Sequence, residues 1–367
     1  MNTANDPRVV MTLDAGGTNF VFSAIRGNTE IIEPITLPSN AHDLNLCFET
    51  IVAGFTRVIK QCAEPPVAIS FAFPGPADYP SGIIGDLPNL PAFRGGVPLG
   101  PMLEEKFRLP VFINNDGDLF AYGEAIAGLL PEINGLLEKA GSQKRFKNLL
   151  GVTLGTGFGG GIVRNGELFL GDNSGAAEIW LLRNKIDPGM NAEEGASIRA
   201  VQRAYAHGAG LPAQGAPTPK EIFEIATSRK EGNKEAALAA YRRLGEVVGD
   251  ALANALTLID GLAVVGGGLS GAHTLFFPSM IAEMNGQYVH VDGKQVQRLE
   301  ARAFNLEDPH DLDVFVRGEQ KEIEVPGSKY KLFYDPLRRI GVGVTRLGTS
   351  RAVAVGAYAF ALNALEG

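Results

Sequence analysis

Short apolar runs separated by glycine turns organise the first half of this chain. Val9 to Leu13 is apolar and rich in β-formers, and after Asp14-Ala15-Gly16-Gly17-Thr18-Asn19 the run Phe20 to Ile25 is apolar again, which predicts a buried hairpin. Asp43 predicts a cap for a helix with Leu44, Phe48, Ile51, Val52, Phe55, Val58, Ile59 and Cys62 on one face. Val67 to Ala72 predicts a further strand, ending in Phe73-Pro74-Gly75-Pro76, and a loop rich in Pro and Gly runs from Ala77 to Gly100. A loop that long is more often functional than idle. Pro110 to Ile113 is strand-like and leads through Asn115 and Asp116 into a segment that reads as a helix. Side chains at such a strand end point into a crevice rather than a core.

The pattern recurs from about Leu149, where an apolar strand, the turn Leu154-Gly155-Thr156-Gly157-Phe158-Gly159-Gly160-Gly161 and a strand from Ile162 to Leu170 follow in order. Helices are predicted over Asn191 to His207, from Thr218 as cap with Pro219 in the first turn, and over Ala236 to Leu258. A third glycine turn, Val264-Val265-Gly266-Gly267-Gly268-Leu269, again follows an apolar strand. Turn signals and alternating runs from about Tyr288 to Tyr334 predict a small β-rich insertion, and Arg351 to Leu365 an Ala-rich closing helix. Strand, turn and helix alternating in this way predict an α/β layered architecture, twice over, with a cleft between two similar units.

Length and charge narrow the function. A chain of 367 residues is long for one core, so two domains are expected. A formal charge of -8 offers no broad basic field for nucleic acid, so backbone amides and a metal ion would have to balance any phosphate ligand. Cys47 and Cys62 are too few for a disulfide framework, and no secretory signal is visible, which points to a reducing, cytoplasmic setting. Gly261 to Ala282 carries no Lys, Arg, Asp or Glu, but its glycines and Pro278 argue for a buried strand, a turn and a helix start rather than a membrane span.

Glycine turns after strands bring backbone amides close to oxygen atoms, and amides aimed one way bind phosphate. One such turn is explained equally well as a tight hairpin; three are harder to dismiss. No Gly-Lys-Ser/Thr follows any of them, so none is a P-loop. Asp14 either accepts amide hydrogen bonds within its turn or holds Mg²⁺ through water. Asp116 either caps a helix or faces a group that receives a phosphoryl.

Taken together, Asp14-x-Gly16-Gly17-Thr18, Asn115-Asp116, Gly155-Thr156-Gly157-x-Gly159-Gly160-Gly161 and Gly266-Gly267-Gly268 resemble the ROK family of sugar kinases, within the actin-like, hexokinase-like ATPase superfamily. Pro74-Gly75-Pro76 through Pro88-Asn89-Leu90-Pro91 is similar to that family's sugar-binding loop, and Gly175-Ala176-Ala177-Glu178-Ile179 to the stretch whose glutamate contacts sugar hydroxyls. The resemblance implies two ribonuclease-H-like (actin/hexokinase-type) α/β domains around a central cleft: 1–124 with the C-terminal helix 348–367, and 125–347 carrying the insertion at about 288–334. It implies ATP-dependent phosphorylation of a hexose at its 6-hydroxyl, glucose first, with fructose, mannose or an N-acetylhexosamine as alternatives. Asp116 would be the general base; Asn89, Asn115, Glu178 and Glu193 would bind the sugar. Asp14, Gly16, Gly17, Thr18, Asn19, Thr156, Gly157, Gly266, Gly267 and Gly268 would hold ATP, with Mg²⁺ at Asp14 through water. A homodimer is a further implication; nucleic acid and membrane are not expected partners.

The resemblance leaves out the β-rich insertion and a stretch near Asn134 to Lys147, and within the matched part the chain departs from the family at the zinc motif. Many members bind a structural zinc through a His and a cysteine-rich motif, but Trp180 stands where that His would be and Arg183 to Ala192 has no cysteine, so no zinc is expected. Glu193 and Glu194 both fit the glutamate that follows the motif, with spacing to Ser197 favouring Glu193. Trp180 is expected to pack in the core rather than stack on a sugar. The rival from another class is a sugar-sensing regulator with little catalysis. A nucleotide-driven assembly or chaperone ATPase is a third reading, disfavoured by the sugar-loop resemblance.

Overall fold

The strands form where the apolar runs predict them, and they gather into two sheets. A computed structural model describes residues 3–87 and 90–366. The chain divides into two compact units, Met1–Gly128 with Gly161–Ala177 and Arg346–Gly367, and Leu129–Gly160 with Glu178–Thr345.

In the first unit, β1 (Val10–Ala15) and β2 (Asn19–Arg26) form an antiparallel hairpin, paired from Val10 with Ile25 to Ala15 with Phe20. Two short strands, β3 (Thr29–Glu30) and β4 (Ile35–Pro38), extend β2. Helix α1 (Leu44–Gln61) starts as predicted, with the Asp43 carboxylate accepting the Leu46 N–H at 3.0 Å. Its buried stripe is Cys47, Ile51, Phe55 and Val58 at helical spacing; Ile59 lies one residue round from Val58 and is exposed, contrary to its predicted place on the inner face. Phe55 meets Phe22 edge-on with ring centres 5.2 Å apart, which fixes α1 against β2.

Strand β5 (Ala68–Ala72) runs parallel to β1. After β6 (Ala77–Asp78), β7 (Ile83–Ile84) and α2 (Leu99–Phe107), strand β8 (Val111–Asn114) runs parallel to β5, giving the order β3-β2-β1-β5-β8. Helix α3 (Asp116–Ala127) follows at once, with Asn115 as its N-cap.

The second unit begins with α4 (Leu129–Lys139) and β9 (Leu149–Leu154). The next strand, β10 (Phe158–Arg164), starts inside the glycine run: Gly159, Gly160 and Gly161 are strand residues, and the turn is only Gly155 to Gly157. β10 enters the first unit at Gly161, and β11 (Glu167–Phe169) pairs with its outer half. The predicted helix from Asn191 is a single 3₁₀ turn, Ala192–Gly195, followed by α5 (Ile198–Ala209). Thr218 and Glu221 form a capping box for α6 (Pro219–Ala226). Then come α7 (Lys234–Ile259), β12 (Leu262–Gly266) and α8 (His273–Met284).

The stretch expected as one β-rich insertion is more than that. Ribbons β13 (Gln287–Val289) with β14 (Gln295–Gln297), and β16 (Lys321–Glu324) with β17 (Lys331–Tyr334), lie at its ends. Between them β15 (Arg302–Asn305) joins the main sheet and α9 (Pro309–Arg317) buries Phe315. The apolar Ala303 and Phe304 of β15 are too buried for a surface decoration. Strand β18 (Arg339–Val344) lies between β12 and β15, all parallel, and helix α10 (Thr349–Ala364) returns to the first unit.

There α10 packs on α3 through glycine. A Cβ on Gly123 would collide with the Ala352 carbonyl, and one on Gly356 with the Leu119 carbonyl. Glu124, fully buried, accepts the N–H groups of Arg346 and Leu347 at 3.1 and 3.0 Å, closing the turn into α10. Among the described residues no helix is long and apolar enough to cross a membrane.

Candidate active site

In the first unit the site is built by one strand-to-helix junction. β8 ends at Asn114, Asn115 caps α3 by accepting the Gly117 N–H at 2.8 Å, and Asp116 occupies the first helical position. The two readings of this pair therefore divide between its members: Asn115 is the cap, and Asp116 is left to face solvent. One Asp116 oxygen also takes the Gly117 N–H, at 2.9 Å. Protein crowding strips part of its water and pushes the Asp116 carboxyl above the usual carboxylate range; the Gly117 N–H pulls the other way, and the negative charge of Asp14 adds to the rise. The side chain keeps an exposed face, so the loss of solvation is partial.

Gly161 locks this junction, since a Cβ there would collide with the Gly117 carbonyl and come within 2.9 Å of the Ala121 methyl. The strand thus lies directly against the first turn of α3. Asn115 is further held by Tyr79, whose hydroxyl donates to the Phe73 carbonyl at 3.0 Å and accepts from the Asn115 amide at 3.5 Å. Tyr79 was missed in the sequence; as the only tyrosine of the Ala77 to Gly100 loop, it was a signal that could have been read.

Asp14 is a residue of β1, exposed near its end, rather than part of the turn, and no described residue donates a hydrogen bond to its carboxylate. The expectation that it accepts amides in a turn gives way to an exposed oxygen pair whose field reaches Asp116. Among the described residues no group of three or more His, Cys, Asp or Glu could hold a metal by itself. In the turn itself Ser39 binds the Gly17 and Thr18 carbonyls, at 2.6 and 2.9 Å, and no N–H of Gly16, Gly17 or Thr18 donates to a described residue. Asn19, exposed, is the first residue of β2.

In the second unit the turn Gly155 to Gly157 and the turn after β12 come together. Gly267, at φ +83°, lies so close to the Leu154 carbonyl that any side chain would collide with it, and the Leu269 N–H donates to that carbonyl at 3.0 Å. Gly266 ends β12, while Gly155 and Gly268 have nothing within 4 Å of where a Cβ would stand, and Thr156 is exposed. Glu193 joins this group. Its Oε2 accepts the Phe158 N–H at 3.1 Å and would lie 2.8 Å from a Cβ on Gly157, and its Oε1 pairs with Arg199 at 3.2 Å. Glu194 turns away to Arg203, at 2.6 Å. The structure thus separates the two glutamates that spacing left adjacent.

Two expectations fare differently. Trp180 is half-buried rather than in the core, and its indole N–H donates to the Glu178 carboxylate. Glu178 is exposed, with that indole as its side-chain partner. A tryptophan whose N–H has a nearby acceptor gains more by keeping the pair at the surface than by burying an unpaired donor. Asn89, the predicted sugar ligand of the long loop, lies outside the described residues.

The geometry agrees with what comparison finds. A model of the ROK family matches residues 10–308. The glucokinase of Parabacteroides distasonis ATCC 8503, known from a crystal structure, is 56% identical, with 99% of each chain covered and a TM-score of 0.91. The N-acetyl-D-glucosamine kinase of Vibrio cholerae serotype O1 is 29% identical over 281 residues, 72% of this chain and 85% of that protein. The glucokinase of Halalkalibacterium halodurans is 28% identical over 283 residues, 71% of this chain and 80% of that one. The family match runs through the α3 junction and all three glycine turns, and the chain belongs to the ROK family.

Proposed function

We propose that this protein is an ATP-dependent sugar kinase that phosphorylates the 6-hydroxyl of glucose, with Asp116 as general base. The observation that carries the reading is the Asp116 carboxylate itself: exposed at the first turn of α3, anchored through one N–H, and held above the ordinary carboxylate range. Such a group is a better proton acceptor than a free aspartate. As the sugar oxygen attacks the γ-phosphorus, its proton passes to Asp116, the bond from that phosphorus to the β–γ bridging oxygen breaks, and ADP leaves. Transfer of this kind depends on position and charge neutralisation more than on covalent help.

Asn115, Glu178, Glu193 and Asn89 are proposed to bind sugar hydroxyls. The turns Gly16 to Asn19, Thr156 to Gly157 and Gly266 to Gly268 are proposed to take the nucleotide. Mg²⁺, held through water at Asp14, would neutralise phosphate charge when bound. We also propose that the chain works as two domains, 1–124 with 348–367 and 125–347. Glucose is preferred over N-acetylglucosamine because the 56% identical relative is a glucokinase; the Vibrio relative keeps the amide sugar as the second reading.

ADP release from purified protein with MgATP, run over a panel of hexoses, tests this. Glucose-dependent release that disappears in Asp116→Asn supports the proposal. Release with N-acetylglucosamine alone would replace the substrate, and sugar binding by calorimetry without release would replace the enzyme by a sugar sensor.

A further inference from the structure

Glu193 brings a negative charge to a turn that is proposed to take an anionic ligand. Its Oε2 accepts the Phe158 N–H at 3.1 Å and stands 2.8 Å from the place a Cβ on Gly157 would occupy. A bare carboxylate so placed would repel a phosphate arriving at the same turn. Something has to offset it.

The turn is gripped from a second side by α5. The Ile198 N–H, at the head of that helix, donates to the Gly155 carbonyl at 2.8 Å, and the Gly155 N–H donates to the Gly157 carbonyl at 2.9 Å. Helix α5 therefore begins against the turn, and its second residue is Arg199. A cation in the first turn of a helix works against the helix dipole, so local preference does not put it there. What it meets is Glu193: the Arg199 Nη2 lies 3.2 Å from Glu193 Oε1 and 3.9 Å from Glu194 Oε1. Among the described residues no other cation pairs with Glu193. Glu194 has its own partner one helical turn further on, Arg203, at 2.6 Å.

We propose that Arg199 is the counter-charge that lets a carboxylate stand at the phosphate turn. It is a positioning residue that acts through Glu193: the guanidinium holds Oε1, keeps Oε2 on the Phe158 N–H, and cancels much of the charge that an incoming triphosphate meets. Without it the same carboxylate stays fastened to Phe158 and faces the nucleotide uncompensated. The Arg199 side chain is 54% exposed and that of Glu193 25%, so the pair adds little to folding. Its effect falls on a charged ligand instead, and a neutral sugar feels far less of it. The inference rests on the reading of Gly155 to Gly157 as a nucleotide turn.

Calorimetric binding of MgATP, and separately of glucose, to the full chain and its variants tests this. Arg199→Met is expected to weaken MgATP about tenfold relative to the parent at about 50 mM salt, with the ratio falling towards one at about 500 mM as the charges are screened. Glucose affinity is expected to change much less, and the melting temperature to hold. Arg199→Lys keeps the charge and is expected to bind MgATP as the parent does. Glu193→Gln combined with Arg199→Met removes both charges and is expected to recover MgATP binding, whereas Arg203→Met, which strips Glu194 instead, leaves it unchanged. Gly155→Val probes the turn itself, because its side chain would enter the open space there. If Gly155→Val weakens MgATP and Arg199→Met does not, the nucleotide turn stands and the role of Arg199 falls. If neither does, both fall together. A loss in Arg199→Met that persists at high salt, or that the double variant does not reverse, would also overturn the proposal.

Discussion

At the α3–α10 crossing a Cβ on Gly123 would collide with the Ala352 carbonyl and one on Gly356 with that of Leu119, whereas a Cβ on Gly17, Gly155 or Gly268 would meet nothing within 4 Å. The crossing uses glycine because two helix backbones touch, which anchors α3 and with it Asp116. Those three turn glycines stand where the backbone faces open space, although Gly16, Gly157 and Gly267 of the same turns are themselves crowded, by Asn19, Glu193 and Leu154. Steric crowding governs the crossing, and it does not account for Gly17, Gly155 and Gly268. Substitutions in the crossing should therefore read out as stability, and those at the turns and at Asp116 as catalysis.

The largest expected effect tests the catalytic side. Asp116→Asn should lower kcat by about 10²–10⁴ while calorimetric sugar binding is kept. A variant with full turnover would remove Asp116 from the mechanism. Next, Gly356→Ala should destabilise the fold by about 1–3 kcal/mol in urea unfolding, since neither helix can withdraw without loss. If stability holds and kcat falls instead, the crossing is not the anchor described here.

Glu124→Gln is of similar or slightly smaller size. Both N–H groups, of Arg346 and Leu347, donate to the same Oε1, which a glutamine oxygen can replace, so the loss is that of a charged for a neutral acceptor, about 1 kcal/mol. A melting curve matching the parent's would show that the charge is not needed.

A smaller effect concerns pH. Because the folded-state pKa of Asp116 is raised, its contribution to stability is full below the ordinary aspartate value and is lost as pH rises through the raised value. Above the ordinary aspartate value the group therefore costs stability. Asp116→Asn should melt higher than the parent at pH 7, with the gap closing towards pH 3, and the acid limb of the parent's kcat/KM should lie above the ordinary carboxylate range. An unshifted limb would break the link between its surroundings and its role as base. The smallest change in stability should come from Gly17→Ala, within about 1 kcal/mol, because its backbone is not left-handed and the space is open. A raised KM for ATP with stability unchanged is the signature that sharpens the contrast with Gly356.

Much of this was legible in the chain. The Asp43 and Thr218 caps, the β1–β2 hairpin and the strand-to-helix junction at Asn115 each depend on residues close in sequence, so local rules reached them. The glycine run after Leu154 was read as one turn because glycine marks both turns and close approaches; only the contact of Gly161 with the first turn of α3 shows that its last residues are strand. The region 288–334 looked like one insertion because β15 is short, and its place in the main sheet depends on pairing with β18 some forty residues on.

By itself, then, the sequence determined the order of strands, turns and helices and the carboxylate at the head of α3, because periodicity and turn chemistry act over a few residues, while its set of motifs carried the resemblance to the family. The tertiary structure alone decided that Glu193 rather than Glu194 meets the Gly157 turn, that Tyr79 braces Asn115, that Trp180 stays at the surface beside Glu178, and that Gly123 and Gly356 are contact points. Each of these joins positions whose nearness depends on how the backbone packs, and packing at native density cannot be read from spacing along a chain.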